Sequence, residues 1–137
     1  MPTTHPHLLQ VVLDATDVRG LAEFYRELLG MEYRPGDEPD ARGADPQPDW
    51  LVLRADSGMR VAFQWVDALP RSTWPQSRVP QQLHLDMVMD DAATLEHWRS
   101  WAIDHGATEL LDRTDDPDEP LVVLSDPAGH PFCLFVG

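Results

Sequence analysis

Apolar positions along this chain follow one order of patterns, and then follow it again. Residues 8–15, LLQVVLDA, are an apolar, β-branched run that predicts a buried strand. Asp17 follows as a helix N-cap, with Leu21, Phe24, Tyr25 and Leu28 at helical spacing behind it and Gly30 as the stop. Met31–Arg34 predicts a short second strand. Pro35–Pro48 is rich in Pro, Gly and Asp and has no period, so a loop is expected, either a lid or a mobile segment. Trp50–Ala55 and Arg60–Val66 predict two strands around an Asp56-Ser57-Gly58 turn. Asp67–Pro80 contains three prolines and reads as a linker.

The second half repeats this order. Leu83–Met89 predicts a strand, and Asp90 or Asp91 caps a helix carrying Leu95, Trp98, Trp101 and Ala102 as its core face, ending at Gly106. His105 beside Gly106 suits a helix C-terminus. Ala107–Leu111 predicts a strand and Asp112–Glu119 an acidic turn. Leu121–Ser125 and Pro131–Val136 predict two more strands around Asp126-Pro127-Ala128-Gly129. Both halves therefore read β-α-β-β-β. Leu9-Gln10 with Asp17 aligns with Leu83-His84 and Asp91 without a gap. Val61–Val66 aligned with His130–Phe135 sets Gln64 against Cys133. The expected organisation is one domain over 1–137, with a first unit at 8–66, a linker at 67–81 and a second unit at 82–137.

Composition narrows the function classes. At 137 residues and 42% hydrophobic content, the chain suits one domain with a real core. No run approaches the roughly 18 apolar residues of a membrane span. The start, Met1 to Pro6, lacks the features of a signal peptide, so a cytoplasmic protein is expected. The single cysteine, Cys133, rules out an internal disulfide. A net charge of −14 repels nucleic acid and favours cationic ligands, although solubility is its plainer meaning.

Three motifs carry a resemblance that spans Leu8 to Val136. Ala22-Glu23-Phe24-Tyr25 through Leu29-Gly30 behind the opening strand is similar to the first module of the vicinal-oxygen-chelate superfamily, the glyoxalase, bleomycin-resistance and extradiol-dioxygenase-like proteins. His84-Leu85-Asp86 with Asp91 resembles the start of its second module. Asp126-Pro127-Ala128-Gly129-His130-Pro131-Phe132-Cys133 resembles its closing DP-x-G-x-x-F motif. The resemblance implies an α+β fold, with two βαβββ modules in tandem forming a cup-shaped mixed sheet and helices outside. It also implies a homodimer. In the metal-dependent members, four inward side chains hold a divalent metal. Those positions fall here on Gln10, Gln64, His84 and Cys133.

Strand alternation puts Gln10, Val12 and Asp14 on one face and Val11 and Leu13 toward the helix. It likewise groups His84 with Asp86, and puts Phe63 and Trp65 on the helix side of Gln64. Hard divalent metals want carboxylate oxygens, and two amides, an imidazole and a thiol make a poor cage. No metal or other cofactor is therefore favoured, and a divalent metal stays the lesser alternative. Asp14 and Asp86 interrupt apolar runs, which asks for a ligand, water or partner nearby. His84 and Asp86 are the weak candidates for acid–base catalysis. Trp50, at a strand start, and Trp74, in the linker, are candidates to stack on a flat ligand. The expected binding residues are thus Gln10, Asp14, Trp50, Gln64, Trp74, His84, Asp86 and Cys133. The function they suggest is sequestration of an aromatic or cationic natural product. The alternatives are an enzyme of the same superfamily (lyase, isomerase, dioxygenase or thiol transferase), or a dimeric domain with a vestigial pocket.

Overall fold

The capping residues expected from the sequence set both helices in the computed structural model, which describes residues 4–43 and 45–137. Met1–Thr3 of the N-terminal stretch and Ala44 of the Pro35–Pro48 loop lie outside the described residues. Asp17 Oδ1 accepts from Gly20 N at 2.9 Å and starts helix α1 (Val18–Leu29). Gly30, at φ 63°, ends it in the left-handed conformation. Asp91, rather than Asp90, caps α2 (Ala92–Asp104) through Thr94 N at 2.7 Å. The hydrogen bond from Thr94 N holds the exposed Asp91 carboxyl below the usual range.

The strands are β1 (Val11–Ala15), β2 (Glu32–Tyr33), β3 (Trp50–Arg54), β4 (Arg60–Trp65), β5 (Leu85–Met89), β6 (Thr108–Arg113), β7 (Leu121–Ser125) and β8 (Pro131–Val136). They form two mixed sheets with equivalent orders, β1-β4-β3-β2 and β5-β8-β7-β6. In each, the first strand runs parallel to the last and the rest pair antiparallel. The fold is α+β, and its two compact units span Met1–Val66 and Asp67–Gly137.

In the first unit α1 packs across β3, β4 and β1. Tyr25 stacks on Phe63 with ring centroids 6.0 Å apart, which fixes Phe63 on the helix side. Leu13 and Leu51 share its row in the register and are buried with it. Two expectations fail here. Leu8–Gln10 precede the strand, with Leu8 89% and Leu9 60% exposed. A strand persists only where a neighbour pairs with it, and β1 begins with its pairing to β4. Trp65, expected in the core, is 46% exposed because it closes β4 at the sheet's end.

The loop after β2 is anchored at two points. Arg19 makes a side-on pair with Asp45, Nε to Oδ2 at 2.7 Å and an Nη to Oδ1 at 3.1 Å, and donates to Asp37 O at 2.7 Å. Its guanidinium also lies 5.0 Å from the Tyr33 ring centroid. Asp37 Oδ2 accepts from Val52 N at 2.9 Å. Burial pushes the Tyr33 phenol up to about 12.

The second unit buries Val122, Leu124, Phe132 and Leu134 beneath α2. The helix itself buries only Leu95 and Ala102. Trp98 and Trp101, expected as core, are half-buried; they meet edge to face at 5.5 Å, and Trp101 stacks on His105 at 4.2 Å. β6 runs past the predicted end at Leu111 to Arg113. A bulge between Glu109 and Leu111 turns Glu109 and Asp112 to the same side, where Arg99 binds both, at 2.7 and 2.9 Å. Hydrogen bonds from Thr114 first, then from Arg99, hold the Asp112 carboxyl down at about 2. Among the described residues no helix is long and apolar enough to cross a membrane.

Candidate functional site

Because strand side chains alternate, everything packed on a helix leaves its neighbours on the opposite face. In the first unit that opposite face has three rows. Asp14, Gln64 and Trp50 stand side by side on β1, β4 and β3, so a carboxylate, an amide and an indole occupy adjacent strands. Val12, Ala62 and Val52 form the middle row, with Ala62 and Val52 fully buried and Val12 37% exposed. Arg60, Arg54 and Glu32 form the third row, and Gln10, just ahead of β1, joins it. Arg60 Nε donates to Gln10 Oε1 at 3.1 Å. Four sequence candidates, Gln10, Asp14, Trp50 and Gln64, thus share one face. Gln64 is exposed and the other three are half-buried.

The other four candidates belong to the second unit. Asp86 lies beside Cys133 in the β5–β8 register, followed by Val123 and Leu111. His84 precedes β5, and its Nε2 lies 3.5 Å from Asp86 Oδ1, both side chains about half exposed. Cys133 is half-buried, and its thiol is pushed up to about 11 by burial and then by the charges of Asp86 and Glu119. It is therefore a protonated thiol at neutral pH and a weak nucleophile. Trp74 sits half-buried in the segment ahead of β5, its backbone N–H donating to Ser72 Oγ at 3.2 Å.

The register corrects one alignment. Val12 pairs with Ala62 as Asp86 pairs with Cys133, so Ala62, two residues before Gln64, is the repeat counterpart of Cys133. The turns agree. Ala55 N donates to Met59 O and Gly58 N to Ala55 O; Asp126 N donates to His130 O and Gly129 N to Asp126 O. Gly58 and Gly129, at φ 93° and 99°, are thus equivalent, and they were the sequence signal that would have found this register.

In the second of these turns the buried Asp126 carboxylate accepts from the backbone N–H groups of Ala128, Gly129 and His130 through Oδ1. Arg71 clasps the same turn, reaching Pro127 O at 2.9 Å, Ser125 Oγ at 3.1 Å and Asp126 O at 3.2 Å. Sequence reasoning missed both Arg71 and Arg60.

The donors at the four carried-over positions do not fit a hard divalent cation. They include no carboxylate, a thiol is a soft donor, and the Gln10 carbonyl oxygen is engaged by a guanidinium. Among the described residues, no three His, Cys, Asp or Glu side chains cluster to hold a metal.

Comparison with known proteins adds the wider setting. The family model of a glyoxalase-like domain matches residues 10–135. No curated protein matches the sequence significantly. Among solved structures, a glyoxalase/bleomycin resistance protein/dioxygenase family enzyme from Burkholderia phytofirmans superposes with a TM-score of 0.68 at 15% identity, over 93% of this chain and 96% of that one. The fosfomycin resistance protein FosX from Mesorhizobium loti superposes at 0.67 with 12% identity, over 98% and 94%. A mutant FosX from Listeria monocytogenes, in complex with Mn(II) and a dihydroxypropylphosphonic acid, superposes at 0.68 with 13% identity, over 98% and 94%. At these identities the likeness is one of fold.

Proposed function

We propose, from the premise that the chain belongs to the glyoxalase-like family, that it binds a small aromatic or cationic organic molecule without a metal and leaves it unchanged. The observation that carries this reading is the row Asp14–Gln64–Trp50. A carboxylate matches a cation, an amide offers both donor and acceptor, and an indole offers a face for stacking. The donor chemistry at the carried-over positions supports binding over metal catalysis. A homodimer belongs to the same proposal, and a sedimentation mass tests it.

The test is a titration with planar cationic dyes and their neutral analogues, read by tryptophan fluorescence, with the compound recovered afterwards. Asp14→Asn is expected to weaken the cationic members by about tenfold, the scale of one charge-assisted contact, and to spare the neutral ones. Recovery of a chemically altered compound would overturn sequestration.

A second reading is an enzyme of the family, for which the His84–Asp86 approach at 3.5 Å is the specific observation. It requires turnover that His84→Ala abolishes.

A further inference from the structure

A cleft of about 380 Å³ opens at the β3–β4 hairpin end of the first unit, lined by Glu32, Arg54, Ala55, Asp56, Gly58 and Arg60. That volume falls in the range of small-molecule sites. Arg54 stands directly opposite Arg60 in the β3–β4 register, and Glu32 stands opposite Arg54 across β2–β3. Like charges facing each other on neighbouring strands destabilise a sheet unless something neutralises them. Five of the other arginines meet acids: Arg19 with Asp45, Arg26 with Glu23, Arg34 with Asp37, Arg99 with Glu96, Glu109 and Asp112, and Arg113 with Asp116. In the cleft this pairing fails. Among the described residues the side chains of Arg54, Glu32 and Asp56 make no hydrogen bond or ion pair, and the Arg60 guanidinium donates only from Nε, to Gln10. Two arginines and two acidic residues therefore line one cleft, and no ion pair joins them.

We infer that this cleft is a binding site for a small ampholyte, a molecule carrying a carboxylate and an ammonium group close together, as an amino-acid head group does. The arginine forks match a carboxylate in geometry and charge. Glu32 and Asp56 match an ammonium. The lining is neutral as a whole, so a bare polyanion meets two carboxylates as well as the net −14 of the chain. A bare cation meets two guanidiniums. Only a ligand with both signs satisfies both pairs. This site is distinct from the Asp14–Gln64–Trp50 row, about 13 Å along the strands from it. It stands or falls independently of the function proposed above.

The experiment is a titration of the full chain with glycine, β-alanine and 4-aminobutyrate, beside acetate, methylammonium and inorganic phosphate. It is read by the Nε–H resonances of Arg54 and Arg60. At least one ampholyte is expected to saturate these signals at a concentration about tenfold or more below acetate, the equivalent of one added charged contact. Arg54→Gln and Arg60→Gln should each weaken it by about the same factor. Glu32→Gln with Asp56→Asn should bring the ampholyte back to the affinity of acetate. All four positions are exposed or half-buried, and an unchanged melting temperature verifies folding. Competition by a dye held at Trp50 would make the ampholyte the charged end of a longer ligand, and its absence a free metabolite; either supports the site. Equal affinity for acetate and every ampholyte, phosphate binding tighter than all of them, or signals unchanged by Arg54→Gln would each overturn the inference.

Discussion

Arg60 Nε donates to Gln10 Oε1 over 3.1 Å, tying the first residue of β4 to the residue that precedes β1. A glutamine can ligate a metal only through that oxygen, and here the oxygen faces a permanent cation. We predict that the purified protein, incubated with Mn(II), Ni(II) or Zn(II) and then desalted, retains only substoichiometric metal by elemental analysis. One equivalent per chain would refute this account of the site.

The Cys133 thiol gives a pH prediction with a definite sign. With its value raised from 9.0 to about 11, the thiolate population at neutral pH is about one hundredth that of an ordinary exposed cysteine. Alkylation by iodoacetamide should be slower by about that factor at pH 7.5. Between pH 9 and 11 the folded state keeps a proton that the unfolded state releases. Stability contributed by this group is therefore present below pH 9 and lost as pH rises toward 11. Urea midpoints of the wild type and Cys133→Ala should converge or cross over that interval, and parallel profiles would contradict it.

Gly58 and Gly129 occupy equivalent turns but not equivalent surroundings. Both have positive φ, so alanine at either costs about 1–2 kcal/mol in backbone strain. At Gly58 a Cβ meets nothing within 4 Å among the described residues, whereas at Gly129 it lies 2.9 Å from Arg71 Cγ and 3.1 Å from Arg71 Cα. Gly129→Ala should cost a further 1–3 kcal/mol or so from overpacking against backbone. Equal denaturation midpoints for the two variants would show that the clasp yields freely.

The Pro35–Pro48 loop is expected to depend on one side chain. Removing Arg19, as in Arg19→Gln, deletes the bond to Asp37 O and both bonds to Asp45. Trypsin cleavage after the exposed Arg42 should accelerate by about tenfold, the scale of local opening when one such anchor is lost. The hydrogen bond from Arg19 lowers the Asp45 carboxyl. Loop anchoring should therefore persist above the ordinary aspartate range and fade as the pH falls below it, which amide exchange within the loop would register. An unchanged cleavage rate in Arg19→Gln would remove the argument.

What the sequence reveals follows from the range of each interaction. Caps and turns are local, so Asp17, Gly30 and the bounds of β7 and β8 were readable in advance, and the second cap was narrowed to Asp90 or Asp91. Pairing is not local. Leu8 and Leu9 look like strand yet have no partner strand beside them among the described residues. The alignment of Gln64 with Cys133 shows a subtler limit. Side chains in a strand alternate with period two, so a slip of two residues keeps every residue on its face and leaves the pattern intact. The shared Phe-x of Phe63-Gln64 and Phe132-Cys133 drew the halves into that slip, and only the parallel pairings to β1 and β5 resolve it. Arg60 and Arg71 were unreadable for a related reason: each acts on a partner 50 or more residues away.

The Arg71 clasp also bears on how the chain can be divided. Its three bonds join the start of the second unit to the final hairpin, so the unit closes on itself like a belt whose buckle lies at residue 71. A split protein cut between Val66 and Asp67 leaves the buckle with its belt. A fragment beginning at Gln82 discards it, and exposes the closing turn at the point where Gly129 had made room for another residue's backbone.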